Sequence, residues 1–411
     1  MRAGTPLVGI GTLLVGTVAL VSSAAGPAGA VSASTEAQLQ TAFANAAETT
    51  IVLSNSIDLT CGGGGDLDRA SATPLTITGN GFTIRQTCAN ERVMEQTLSG
   101  ALTLDGVTVT GGTGVAQGAG VFAGGNVTLT NSTVTANTAT TEGGGISTPG
   151  GDVTATNSTI SNNTTTGTFG NGGGGVFASG AVTLSNSTLS GNSANTGGGA
   201  RGVASVNLTN STVNLNTATH FAGGGVASNG SVTVINSTVT ANTAIADVGN
   251  GLGGGIAATD VTLVYATVVQ NTGVIAANVA AAGGTLTSFG SVVALPTGAV
   301  NCFQSATTSN GDNFSDDTSC GFTNLAQRDR ENAGDPLLAA LANNGGPTQT
   351  RLPQTGSPLL DTIPAGSCQA DGATGITTDQ RALPRPAFSG CDVGSVEIQP
   401  AAAAITVRFT G

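Results

Sequence analysis

Acid–base or metal chemistry on a polysaccharide needs carboxylates grouped within reach of one substrate. The middle of this chain offers few candidates: Glu142, Asp152, Asp247 and Asp260, with Arg201 as the only arginine between Thr113 and Val300 and His220 as the only histidine. A second acidic group, Asn310, Asp312, Asp316 and Asp317, lies in the run SNGDNFSDD and offers oxygen ligands for calcium, although not at EF-hand spacing. Asp379 and Arg381 in TDQR, with Arg385 and Asp392, read as an ion-paired cap. Whether any of these meet depends on the elements that carry them.

Those elements are set by a repeat. Asn-Ser-Thr recurs at Asn131, Asn157, Asn186, Asn210 and Asn236, with a degenerate copy at Tyr265, at spacings of 24 to 29 residues. Four residues before it stand Val127, Val153, Val182, Val206, Val232 and Val261. Three residues after it stand Val134, Ile160, Leu189, Val213, Val239 and Val268, and six after it Asn137, Asn163, Asn192, Asn216, Asn242 and Asn271. Alternating apolar and Thr/Ser positions are strands with one face in and one face out. A chain that returns to the same columns every 24 to 29 residues is a coil of three short strands per turn. Each turn pairs in parallel with the next, roughly 4.8 Å away. Val then stacks on Val and Asn on Asn, the amides satisfying one another. Gly-rich runs such as Gly197–Gly199 and Gly223–Gly225 allow tight turns and close backbone approach.

The coil tests the candidates. Asp152 and Asp260 share a column four turns apart, roughly 19 Å, and Glu142 and His220 lie near one column three turns apart, roughly 14 Å. Paired glycosidase carboxyls stand about 5–10 Å apart. No two of these acids come together, so no catalytic or metal-binding set is assigned. What does align is an outward hydroxyl column: Thr133, Thr159, Thr188, Thr212, Thr238 and Thr267. Two residues on stand Thr135, Ser161, Ser190, Asn214, Thr240 and Val269. Such a face offers hydrogen bonds to a carbohydrate or cell-surface partner, and a flat Thr array also suits ice.

Composition bounds the rest. With 39% hydrophobic residues a sizeable core can form, and only 8% are charged, so disorder is a poor explanation. The net charge is −12 and there is no Lys, which excludes a nucleic-acid groove and a polybasic membrane patch. Arg2, an apolar stretch from Leu7 to Val21 and Ala28-Gly29-Ala30 read as a signal peptide over residues 1–30, and no transmembrane segment is expected in the mature chain. Six cysteines suit an oxidising compartment, with local pairing expected for Cys61 with Cys88, Cys302 with Cys320 and Cys368 with Cys391. Glu36 to Ala47 has helical apolar spacing, with Ser34 or Thr35 as its cap, and reads as a lid on the first turn. Residues 301–411 hold 17 of the 34 charged residues and four of the six cysteines, and are expected to cap the other end.

The Gly-rich Asn-Ser-Thr turns resemble the β-helix repeats of polymorphic outer-membrane-type and adhesin-like exported proteins. Residues 330–400 resemble the choice-of-anchor family Q domain through GDPLLAALANNGGPTQT from Gly334, GSPLLD from Gly356, TDQRALPRP from Thr378 and CDVGSVE from Cys391. The resemblance implies an exported, surface-associated protein and no defined activity. After Glu397 the sequence IQPAAAAITVRFTG holds neither an apolar span nor a basic tail, so no anchor is expected there. Leu352 to Gly356 spells a sortase-like LPQTG, but SPLLDTIPAGSCQADG follows rather than an apolar stretch, and the match is read as coincidence. The Asn-x-Ser/Thr matches are read as bend residues rather than glycan acceptors. The expectation is therefore an all-β, right-handed parallel β-helix over residues 31–300, with repeats over about 101–295, an N-terminal capping helix and a disulfide-containing C-terminal cap over 301–411. A secreted, non-enzymatic, adhesin-like scaffold leads. A polysaccharide lyase or glycoside hydrolase, and an ice-binding protein, are the alternatives.

Overall fold

The computed structural model describes residues 29–167, 172–245, 252–369 and 373–400. The signal-peptide reading therefore lies almost wholly outside the described residues, as does Asp247.

The chain winds into a parallel β-solenoid. Each central turn supplies strands to three sheets of 20, 11 and 6 strands, the largest taking two short strands per turn. The register is the one the columns dictate: Val134 pairs with Ile160, Ile160 with Leu189, Leu189 with Val213, Val213 with Val239 and Val239 with Val268. All six are buried. Val127, Val153, Val182, Val206, Val232 and Val261 form the equivalent stack on the largest sheet. Burial is nearly complete because each apolar side chain lies against its counterparts one turn above and below.

Polar columns hold the corners. Asn137 Nδ2 donates to Asn163 Oδ1 at 2.9 Å, and the same bond links Asn163 to Asn192, Asn192 to Asn216, Asn216 to Asn242 and Asn242 to Asn271. The ladder continues through Asn278 to Asn301, beyond the last recognisable repeat. From Asn137 to Asn271 the backbone N–H of each Asn also donates to the next Oδ1, as from Asn192 to Asn216 at 2.9 Å. These buried amides are thus satisfied internally, as a dry corner demands. The preceding corner is turned at Asn131, Asn157, Asn186, Asn210 and Asn236, with φ between 43° and 50°, a left-handed conformation that Asn tolerates better than most residues. Next to the ladder the glycines are obligatory: a Cβ on Gly225 would lie 2.6 Å from the carbonyl oxygen of Gly255.

The ends depart from a simple lid at each terminus. Helix α1 (Glu36–Ala44), capped by the Thr35 side chain, buries Leu39, Ala42 and Phe43 over the first turn. At the other end the coil continues past residue 300: Val300–Ser309 pairs in parallel with Ala276–Phe289, and Phe314–Ser315 with Val292 and Val293. The Cys302–Cys320 disulfide and Phe322 close the core there. Cys61 bonds Cys88 in the first turns and Cys368 bonds Cys391 in the C-terminal region. That region does more than cap the end. It folds back along the side of the coil, where Leu359, Ile363, Cys391 and Val393 form a second core with Tyr265, Phe289 and Val292.

Candidate functional site

The hydroxyl column is built as its register predicts, Thr108, Thr133, Thr159, Thr188, Thr212, Thr238 and Thr267 standing side by side on the second sheet. Its exposure is not uniform. Thr108, Thr133, Thr159 and Thr188 are half-buried, as are Thr110, Thr135, Ser161 and Ser190 in the neighbouring column. Thr212, Thr238 and Thr267 are fully buried, which corrects the expectation of a solvent-facing column of six. The cause is the returning C-terminal segment. Gln380 Nε2 donates to Thr212 Oγ1 at 3.0 Å, and Thr238 Oγ1 donates to Gln380 Oε1 at 2.7 Å. Thr212 Oγ1 donates to the Gln349 carbonyl, and the Ser395 N–H donates to Thr267 Oγ1. The open face therefore runs from Thr108 to Thr188, two hydroxyl columns wide and four strands long, roughly 7 Å across and 14 Å along.

A second group was missed by column reasoning. Asp66, Asp68 and Glu95 place carboxylate oxygens within 4.8 Å of one another on the largest sheet, near its first turns. Asp68 and Glu95 are direct register partners, and Phe122 occupies the same outward position on the next strand. Arg92 lies beside them, 3.0 Å from Glu95 and 3.9 Å from Asp66, its guanidinium 5.0 Å from the Phe122 ring. Burial, reinforced by Asp68 and Glu91, pushes the Asp66 carboxyl up to about 6. Carboxylates thus do meet in this coil, against expectation: not among the acids of the Asn-Ser-Thr turns but in the earlier turns, which carry no such motif. The signal was present, because Glu95 follows Asp68 by 27 residues, within the repeat length.

The acids considered from sequence serve other ends. Asp152 Oδ1 accepts from the Ala181 N–H and Asp260 Oδ1 from the Thr285 N–H, each tying its turn to the next. Glu142 accepts from Gln117 Nε2 at 3.0 Å, and its charge also acts on Arg201. His220 Nδ1 meets Thr219 Oγ1 at 2.8 Å. In the acidic run Asp312 is bidentate to Arg328, Asp316 accepts from Leu295 N–H and Asn301 Nδ2, and Asp317 accepts from Asn301 and Ser319. Their oxygens are spent on closing the last turns. Asp379 pairs with Arg381 at 2.8 Å, Arg385 stands 3.4 Å from Glu397 and 3.9 Å over the Tyr265 ring, and Asp392 accepts from Asp361 and Ile398 N–H groups. These four residues hold the C-terminal segment together and against the coil. Burial raises the Glu397 carboxyl to about 7.

Residues 95–272 match the family described as the right-handed beta helix region. Among solved structures the chain is similar to the crystal structure of pectate lyase Pel9A, at 17% identity and a TM-score of 0.39, over 85% of this chain and 87% of that one. It is also similar to the SRRP of L. reuteri 53608, at 13% identity and a TM-score of 0.43, over 69% of this chain and 98% of that one. At these scores neither likeness carries a functional argument. No curated protein matches the chain. Among the described residues no helix is long and apolar enough to cross a membrane.

Proposed function

We propose that this chain is an exported, adhesin-like β-helix scaffold that binds carbohydrate along the open hydroxyl face from Thr108 to Thr188. One observation carries the reading: over the next three turns the first of these columns, at Thr212, Thr238 and Thr267, and Thr240 of the second are hydrogen-bonded by polar groups of the chain's own C-terminal segment. The face is therefore built to accept a hydrogen-bonding strip, and its first half is left open to take one from outside. Pyranose hydroxyls supply both donors and acceptors at that height, and the face carries no charge cluster that would select an ion instead. The reading needs no cofactor. Three disulfides suit an extracellular address, and residues 330–400 fit a choice-of-anchor Q-type region that here serves as internal packing. A glycan array of the purified chain tests the proposal. Binding should appear for wild type and be lost in the double variant Thr133→Glu, Thr159→Glu; an array without binding, or binding unchanged in the double variant, overturns it.

A second reading is favoured by Asp66, Asp68 and Glu95. Carboxylates whose oxygens lie within 4.8 Å of one another, one of them raised by burial to a pKa of about 6, can act as acid and base on a polysaccharide. Turnover of pectin or alginate that disappears in Asp66→Asn and Glu95→Gln would establish a lyase or hydrolase. The Thr register on neighbouring strands also supports an ice-binding reading, which thermal hysteresis of the purified chain decides.

A further inference from the structure

Where the open face meets the C-terminal segment there is a cleft of about 310 Å³. Its buried part is formed by Asn214 and Thr240 of the coil and Arg351 of the segment, and its exposed rim by Leu215, Gln270 and Gln349. Asn214 follows Ser190 directly in the second hydroxyl column, so the open face leads into this cleft.

Two groups in the cleft are left unsatisfied by the fold. Arg351 is only 5% exposed, yet among the described residues no carboxylate lies within ion-pairing distance. Its Nε donates to the Ala339 carbonyl and its Nη1 to Thr240 Oγ1 and Gln270 Oε1, all neutral acceptors, and its Nη2 meets no acceptor among the described residues. Of the two other arginines buried to this degree, Arg385 stands 3.4 Å from the Glu397 carboxylate and Arg69 spends both terminal nitrogens on backbone carbonyls, the Nε of each being left without a partner. In a chain of net charge −12, a buried guanidinium without a counter-ion is costly. The second group is Asn214, only 7% exposed, whose Oδ1 is enclosed and has no donor.

The two demands differ in chemistry. A guanidinium calls for an anion, best a carboxylate that can engage it at two points. The amide oxygen of Asn214, which a ligand reaches only when the side chain turns into the cleft, calls for a donor, which a carboxylate does not supply and a sugar hydroxyl does. The aliphatic side chain of Leu215 at the rim, 62% exposed, offers an apolar surface for the C–H face of a pyranose ring. From this combination we infer that the cleft is a subsite for an acidic saccharide, its carboxylate on Arg351 and a ring hydroxyl on Asn214, at the downstream end of the open face. The inference rests on the carbohydrate-binding reading above and adds the substrate class, a uronic-acid glycan.

Calorimetric titration of the full chain with trigalacturonate, with its methyl ester and with a short peptide bearing a free C-terminal carboxylate tests it. The acid saccharide should bind, the ester at least about tenfold more weakly, and the peptide no better than the ester. Arg351→Gln should remove the preference for acid over ester. Asn214→Asp keeps every bond of Arg351 but places a carboxylate in the cleft as an internal counter-ion, and should remove the preference too, so a folding defect in the first variant does not decide the outcome. Equal binding of acid and ester overturns the acidic subsite and leaves the carbohydrate-binding reading intact. Peptide binding that exceeds the saccharide reassigns the cleft and overturns the inference. Absence of saccharide binding here, with array binding that remains sensitive to Thr133→Glu and Thr159→Glu, overturns the subsite alone.

Discussion

The second sheet contains one structure used in two ways. From Thr108 to Thr188 its outward hydroxyls are half exposed, whereas from Thr212 to Thr267 the same columns, on the same register, are sealed beneath the segment that carries Thr348, Gln349, Gln380 and Ser395. The strands do not differ: Thr188-Leu189-Ser190 and Thr212-Val213-Asn214 pair directly. What changes is the partner. A face of hydroxyls contributes little to stability when wet, because each protein hydrogen bond replaces one to water. Once covered, each hydroxyl must be matched, and Gln380 does this for two threonines at once with its amide.

The asparagine ladder runs through both halves, so breaking it should cost the same in each. Asn163→Ala and Asn216→Ala each leave buried backbone and amide groups unpaired and should lower stability by about 3–4 kcal/mol in urea denaturation. A large inequality between them would show that the covered half depends on its cover rather than on the coil. Gln380→Ala acts only on the covered half, removing one hydrogen bond from each of the buried hydroxyls of Thr212 and Thr238, which keep Gln349 and Ser395 as partners, at a cost of about 1–3 kcal/mol. The pH response comes next. Burial raises Glu397 from the usual 4.5 to about 7, so the native state binds its proton more tightly than the unfolded chain. The contribution of this group is greatest below pH 4.5 and declines as pH rises to about 7. The urea midpoint should fall across that window, and Glu397→Gln should flatten the fall. The smallest effect is expected on the open face, where Thr133→Ala or Thr159→Ala should change stability by no more than about 0.5 kcal/mol.

Much of the coil was legible because its physics is periodic. A residue that must stack on its own kind, such as Asn192 between Asn163 and Asn216, leaves a column in the sequence. The ladder's extension to Asn278 and Asn301 was not legible, because Asn278 follows Asn271 by only 7 residues through an irregular turn. The carboxylate group of Asp66, Asp68 and Glu95 escaped because the earlier turns lack the Asn-Ser-Thr marker that defined the alignment, although their strands keep the register. The covering of Thr212, Thr238 and Thr267 left no local trace. It is made by residues more than a hundred positions away, and nothing in a column of threonines distinguishes the wet ones from the dry. Arg351 was illegible for the same reason, since its lack of an acid partner is a fact of packing.

The division of the hydroxyl face can be measured directly by introducing one thiol on each side of it, in Thr159→Cys and Thr238→Cys, and following modification by a small thiol reagent under native conditions. The first should react at a rate approaching that of an exposed cysteine and the second at least about a hundredfold more slowly, released only when the chain unfolds. Equal rates at the two positions would contradict that division.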